Sequence, residues 1–419
     1  MIRSLIIASV ALAMSAVPTA GQYLLVPMDQ EQTNHLKAYG LTYWALEQGL
    51  TAEWLLNYRA GSFLLPDRAD TRREAALRGV TAAPVGTAEV ATIKNEIADA
   101  NMEVVILEKA PKIAVYTPAN VSPWDDAVTL ALTYADINYD KLWDPEVVQG
   151  RLSEYDWLHL HHEDFTGQYS KFYINSAGAP WLQDAVRVNE SNAREAGEPN
   201  VPALKKRVAE EIRRYVAEGG FLFAMCTATE TIELALAAVG VDIAAPFSDG
   251  TPVDPNATAK MQWDRTMAFQ NAEVQTNAGV NSFSDIDGHQ VNTPWRQPLG
   301  VFQLFDFSAK FDPVPSMLVQ NHESVIGDYY GLTTSFRRDR IKSDVIVLAE
   351  EEGAPWVKYV HGNFGEGTWT FLGGHDPEDP QHQIGDAPTD LNLHPHSPGY
   401  RLILNNVLFP AARKKTLKT

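Results

Sequence analysis

The stretch Gly219-Gly220-Phe221-Leu222-Phe223-Ala224-Met225-Cys226-Thr227-Ala228 decides the fold. Its apolar run opens on a glycine pair and reads as a buried strand. Ahead of it, residues 203–218 place Leu204, Val208, Ile212 and Tyr215/Val216 on one stripe, with Lys, Arg and Glu elsewhere, as an amphipathic helix does. Behind it, the apolar run 231–239 reads as a second helix. Helix, strand, sharp turn and helix make the unit of an α/β protein with a mostly parallel sheet. The turn itself has the form of a nucleophile elbow, which needs small residues two before and two after the nucleophile because backbone segments close on one another there. Ala224 and Ala228 meet that need around Cys226. A thiol so placed sits at a helix N-terminus, which lowers its pKa and supplies backbone N–H groups for an oxyanion. The other reading of Cys226 is a buried, inert cysteine closing a strand.

Two more strand-like runs end in polar knots. Tyr155-Asp156-Trp157-Leu158 leads into His159-Leu160-His161-His162-Glu163-Asp164, and Gly367-Thr368-Trp369-Thr370-Phe371-Leu372 leads into Gly373-Gly374-His375-Asp376-Pro377-Glu378-Asp379. Strand ends of α/β sheets are where ligands and catalytic groups collect. In an extended chain His159 and His161 point to one side and His162 to the other. The imidazoles and the carboxylates of Glu163, Asp164, Asp376 and Glu378 are of the types that bind Zn²⁺ or another divalent ion. No spacing such as His-Glu-x-x-His occurs, so a hydrogen-bonded wall without metal is the favoured reading, and no cofactor is expected. Residues 380–398, rich in Pro, His and Asp, read as an ordered loop over the same crevice. Asn321-His322-Glu323 reads as surface.

An elbow cysteine followed far downstream by histidine and carboxylate resembles the class I glutamine amidotransferases and their flavodoxin-like relatives. The run from Tyr359 to Asp376, ending Gly373-Gly374-His375-Asp376, is similar to the glycine-rich hairpin of ThuA-like proteins in the same superfamily. The resemblance implies Cys226 as nucleophile, His375 as base and Glu378 or Asp376 as the acid that orients it. Departures are visible: alanines replace the elbow glycines, and the carboxylates stand one and three residues after the histidine. His159, His161, His162, Glu163, Asp164, Thr227 and His394 are expected to line the substrate pocket. The whole chain also resembles exported bacterial proteins labelled asparagine synthetase B, through Trp157–Gln168 and Pro388–Pro395. The chemistry of that label needs a mature N-terminal cysteine and a Ser-Gly-Gly-type loop, and neither is present.

These readings give an α/β chain with a flavodoxin-like, amidotransferase-like domain over 111–419, interrupted by a loop insertion at 163–200 and one of loops and antiparallel strands at 245–335. A smaller segment, 23–110, alternates strand and helix, a pattern expected to build a mostly parallel sheet. Residues 1–22 read as a cleavable secretory signal, with Arg3, the apolar run Leu5–Met14 and small residues to Gly21. Elsewhere no apolar run reaches the ~18 residues of a membrane span. The expected location is therefore periplasmic or secreted. A net charge of −19 argues against nucleic-acid or anionic-membrane partners. One cysteine permits no internal disulfide. The functional expectation is an exported hydrolase acting on an amide or a carbohydrate-derived substrate; the alternatives are a non-catalytic sugar-binding protein and a metal-dependent hydrolase. Aromatics such as Trp124, Trp143, Trp181, Tyr169, Tyr173 and Trp295 are expected mostly to pack core or lid.

Overall fold

The computed structural model describes residues 22–118, 126–289, 299–312, 323–382 and 386–413. The signal-like segment up to Gly21, Trp124, Trp295 and His322 lie outside these residues.

The first segment contains β1 (Tyr23–Val26), α1 (His35–Glu47), β2 (Ala52–Leu56), β3 (Ser62–Pro66), α2 (Ala69–Arg78), β4 (Ala83–Val85), α3 (Thr87–Asp99) and β5 (Glu103–Leu107). Its sheet runs β4-β1-β3-β2-β5, and every pairing is antiparallel. The expectation of a parallel sheet here is corrected. Its cause is local: Asn57, Arg59, Ala60 and Gly61 all adopt positive φ between β2 and β3. So tight a reversal can only return the chain as a hairpin. Helix α1 starts where Asn34 caps the Lys37 N–H at 2.9 Å.

The second sheet uses β6 (Ile113–Tyr116), β7 (Asp140–Leu142), β8 (Trp157–Leu160), β9 (Phe221–Met225), β10 (Val301–Leu304), β11 (Val325–Gly327), β12 (Phe336–Arg337), β13 (Ile346–Glu351), β14 (Trp356–Phe364) and β15 (Gly367–Leu372). Among the described residues its path is β11-β10-β13-β14-β15-β9-β8-β6-β7, with β12 added to β14. The strands β7, β6, β8, β9 and β15 are mutually parallel. Numbered along the chain, those five stand in the order 2-1-3-4-5, which is the flavodoxin-like order. The fold is therefore α/β, as expected.

The intervening helices are α4 (Ala127–Tyr134), α5 (Asp144–Val148), α6 (Tyr173–Ser176), α7 (Pro180–Glu195), α8 (Val201–Ala217), α9 (Cys226–Ala237), α10 (Pro246–Asp249), α11 (Ala257–Lys260) and α12 (Pro398–Leu408). Strand β9 is buried on both faces. Phe221, Phe223 and Met225 pack with α1, α4 and α12, while Leu222 and Ala224 pack with Leu204, Val208 and Ile212 of α8. A two-sided core explains its unbroken apolar run. The 163–200 insertion is not only loop: α7 occupies its centre but buries only Leu182 and Ala193, a stripe too thin to read from sequence. Wholly buried Arg401 of α12 joins the two sheets, donating to Met28 O at 3.2 Å, to Tyr39 Oη at 3.1 Å and to Ala60 O.

The β14–β15 hairpin turns at Gly365, where φ is +60° and a Cβ would lie 2.4 Å from Ala217 O. Both the conformation and the space demand glycine. Gly365→Ala is expected to cost about 2 kcal/mol or more in urea unfolding.

Candidate active site

Four strand ends converge at the carboxyl edge of the parallel sheet. At the end of β9 the backbone turns through Cys226 with φ = 49°, a left-handed conformation that a side chain rarely adopts and that marks a strained elbow. Helix α9 starts at this residue. The elbow is tied to the end of β8 by Ala228 N–H donating to His161 O at 2.9 Å. Cys226 is 2% exposed.

Beyond β15, Gly373 and Gly374 let a second segment, Tyr329–Ser335, close over the thiol. A Cβ on Gly373 would lie 2.2 Å from Thr334 O, and one on Gly374 2.5 Å from the Tyr329 ring. The segment is held by Gly374 N–H to Thr333 O at 2.9 Å and His375 N–H to Tyr330 O at 2.8 Å. It brings Leu332 N–H to Cys226 Sγ at 3.3 Å. Gly331 lies so close that a Cβ there would stand 3.0 Å from the sulfur.

His375 lies near enough to act on the thiol. Burial raises the Cys226 pKa, but the hydrogen bond and charge of His375, the Leu332 N–H and Thr227 together bring it down to about 7. His375 Nδ1 is 3.0 Å from His161 Nε2, and the two rings meet edge to face. His161 Nδ1 in turn is 3.1 Å from Asp126 Oδ1. His159 places Nε2 3.2 Å from Asp126 and Nδ1 3.0 Å from Phe223 O. Burial, opposed by Asp126, drives the His161 pKa down to about 3. Burial works to raise the Asp126 pKa, yet His159 and His161 hold it well below the carboxylate range.

The pleat thus sends His159 and His161 to one carboxylate, while His162 is exposed beside them. Asp126 did not stand out among the site candidates. Its signal was position: it caps α4, accepting from Val128 N–H at 2.8 Å and Thr129 N–H at 3.3 Å, just after the first parallel strand.

The carboxylates expected to orient His375 are turned elsewhere. Glu378 pairs with His394 at 2.9 Å. Asp376 accepts from Glu378 N–H, Thr389 Oγ1 and Tyr400 Oη at 2.9, 2.8 and 2.9 Å, so it organises the loop. An imidazole, His161, occupies the orienting position instead. Glu163 accepts from His161 N–H at 2.8 Å. Asp164 accepts from Thr166, Gln168 and Ser170 N–H and serves its own turn. Thr227 is buried with its Oγ1 3.7 Å from the sulfur. At the start of the segment expected to cover the crevice, His382 stacks on His375 with centroids 4.5 Å apart, while residues 383–385 of that segment lie outside the described residues.

Ligand atoms of His161, His162 and His375 lie within 4.8 Å of one another, as do those of Asp126, His159 and His161. Either set has the donor chemistry for a divalent ion. An ion among the first would replace the His161–His375 hydrogen bond. A cavity of about 1100 Å³ lined by Phe221, Tyr215, Arg214 and Arg413 opens at the opposite end of β9 and contains none of these groups.

No family model and no curated protein matches the chain. Among solved structures, cytoplasmic protein STM1381 of Salmonella typhimurium LT2 aligns at 13% identity and TM-score 0.35, over 72% of this chain and 100% of its own. Cytoplasmic protein STM3548 of Salmonella typhimurium aligns at 12% and 0.33, again over 72% and 100%. A Thermoplasma acidophilum protein provisionally described as part of a GMP synthase aligns at 8% and 0.34, over 72% and 94%. Such loose likeness says nothing of activity, and the fold rests on strand order. Among the described residues no helix is long and apolar enough to cross a membrane.

One turn beyond Cys226, buried Glu230 accepts from Ser284 Oγ at 2.5 Å and from Thr333 Oγ1 of the covering segment at 2.9 Å. Burial raises its pKa from 4.5 to about 7. A carboxyl raised on folding stabilises the native state below its unfolded pKa, and that contribution is lost as pH rises toward 7. Glu230→Gln should therefore lose less stability than the parent between pH 5 and pH 8, by about 1–3 kcal/mol in urea titrations.

Proposed function

We propose that the chain is an exported cysteine-dependent hydrolase of amide bonds, with Cys226 as nucleophile and His375 as general base and acid. The observation that carries this reading is the strained elbow at Cys226, which sets a thiol of pKa about 7 against the His375 imidazole. His375 takes the thiol proton, and the sulfur attacks the amide carbonyl carbon. The oxyanion faces the first turn of α9, where Ala228 N–H is committed to His161 O and Thr227 N–H remains to meet it. Collapse of the tetrahedral intermediate expels the amine, which leaves with the proton from His375. Water, deprotonated by His375, then hydrolyses the thioester and releases the acid. Exposed His162 stands where a substrate would enter, and carbohydrate-derived amides fit the polar surroundings. The signal-like residues 1–22 support export. The resemblance to class I amidotransferases agrees with this chemistry, although His161 takes the place of the orienting acid.

A metal-dependent hydrolase is the second reading, favoured by the proximity of the His161, His162 and His375 donors. Elemental analysis of untagged protein separates the two, since a stoichiometric metal belongs only to the second.

Alkylation of the folded protein by iodoacetamide should rise with pH and reach half its maximal rate near pH 7, two units below an ordinary thiol of pKa 9. Against a panel of primary amides including glutamine, Cys226→Ser should lower any ammonia release by ~1,000-fold or more. A half-maximal rate near pH 9, or activity that survives the substitution, removes Cys226 as nucleophile.

A further inference from the structure

Independently of the chemistry assigned to Cys226, we propose that His289, Asp328 and Glu351 form an exchangeable divalent-cation site, suited to Mn²⁺, that braces the segment Tyr329–Ser335 over the thiol. The inference follows from a buried pair of carboxyls whose oxygens outnumber the donors that reach them.

Three elements meet there. Asp328 follows β11 and leads into the covering segment, and Glu351 ends β13. His289 follows a stretch paired with the far end of that segment, through Gly288 N–H to Ser335 O at 2.8 Å and a bridge from Asp287 to Phe336. A Cβ on Gly288 would stand 2.8 Å from Ser335 Oγ, so glycine lets the two chains close. The side chains of His289, Asp328 and Glu351 keep only 4%, 1% and 9% of their surface exposed. A ligand atom from each lies within 4.8 Å of the other two.

Lys358 of β14 neutralises one carboxyl. Its ammonium is 2.5 Å from Asp328 Oδ1 and also donates to Tyr329 O at 2.8 Å and Thr334 O at 2.9 Å. Three acceptors use its three protons. Asp328 Oδ2 and Glu351 Oε1 are buried and have no hydrogen-bond partner among the described residues. Glu351 stands within hydrogen-bond reach of Asp328. Two buried carboxyls so placed repel unless a proton or a cation lies between them.

The third group favours a cation. His289 Nε2 faces Glu351 Oε2 at 3.4 Å, too long for a strong hydrogen bond, and Nδ1 lies 2.9 Å from Ser335 Oγ. A polar contact on the far nitrogen is how metal-bound imidazoles are oriented. Two carboxylates to one imidazole suit Mn²⁺, whereas the three imidazoles of His161, His162 and His375 suit Zn²⁺. Mn²⁺ binds most weakly among first-row divalent ions, and the Lys358 ammonium opposes it, so the ion is lost on desalting. Elemental analysis of desalted protein therefore reports on the three histidines and not on this site. Asp328 precedes the covering segment and Ser335 ends it, so an ion held by Asp328 and His289 ties both ends.

The test titrates MnCl₂ into the full chain after chelation and desalting, counting free Mn²⁺ by its electron paramagnetic resonance signal. The parent should bind an ion whose affinity Glu351→Gln, an isosteric change, weakens about tenfold or more, while His162→Ala leaves it unchanged. In ¹⁵N-histidine-labelled parent, substoichiometric Mn²⁺ should broaden the imidazole signals of His289 before those of His162, a readout that stands even where Glu351→Gln fails to fold. With Mn²⁺ at about ten times its dissociation constant, amide exchange at Leu332 and Thr334 should slow about tenfold, because opening the segment releases the ion. No binding, which leaves a proton alone between the carboxyls, overturns the site. Equal affinity in parent and Glu351→Gln, or earlier broadening at His162, does the same. Binding with unchanged amide exchange overturns the bracing role.

Discussion

The site depends on one hydrogen bond between two imidazoles, His161 Nε2 to His375 Nδ1 at 3.0 Å. It joins the end of β8 to the end of β15, with β9 and its cysteine lying between them. The 2-1-3-4-5 order makes the meeting possible: parallel strands deliver all their carboxyl ends to one edge, so residues far apart in sequence arrive together. Asp126 follows the first of these strands and His161 the third, on the two sides of the point where the strand order reverses. The imidazoles meet groups delivered by other strand ends, while Asp126 is also held by its own neighbours Val128 and Thr129.

Burial is the second constraint, and it works in both directions. Tyr329–Ser335 shields Cys226 almost completely, and shielding alone raises a thiol pKa. The same segment brings Leu332 N–H to the sulfur and leaves it beside His375, so the balance falls the other way. Two glycines after β15 permit that approach, because side chains there would collide with Thr334 and Tyr329.

Much of this was readable from sequence where a residue's neighbours along the chain set its environment. The apolar run before Cys226, the small residues around it and the stripe on α8 gave the strand, the turn and the helix. Alternation in β8 placed His159 and His161 on one side. The failures came where distant segments decide. Glu378 and Asp376 stand near His375 in sequence, but their carboxylates are drawn away by His394, Tyr400 and Thr389 from the covering loop and α12. Asp126 looks like an ordinary helix cap, and nothing local marks a cap that also faces two histidines. The antiparallel N-terminal sheet was hidden for a similar reason. Its strands and helices alternate, and only the left-handed residues Asn57, Arg59, Ala60 and Gly61 show that the chain doubles back.

A crystal structure of the mature chain bears most directly on the central claim. The account predicts Cys226 Sγ within hydrogen-bond reach of His375 Nε2, with His161 on the far nitrogen and Asp126 behind it. An apolar side chain or a bound ion interposed between sulfur and imidazole would contradict it.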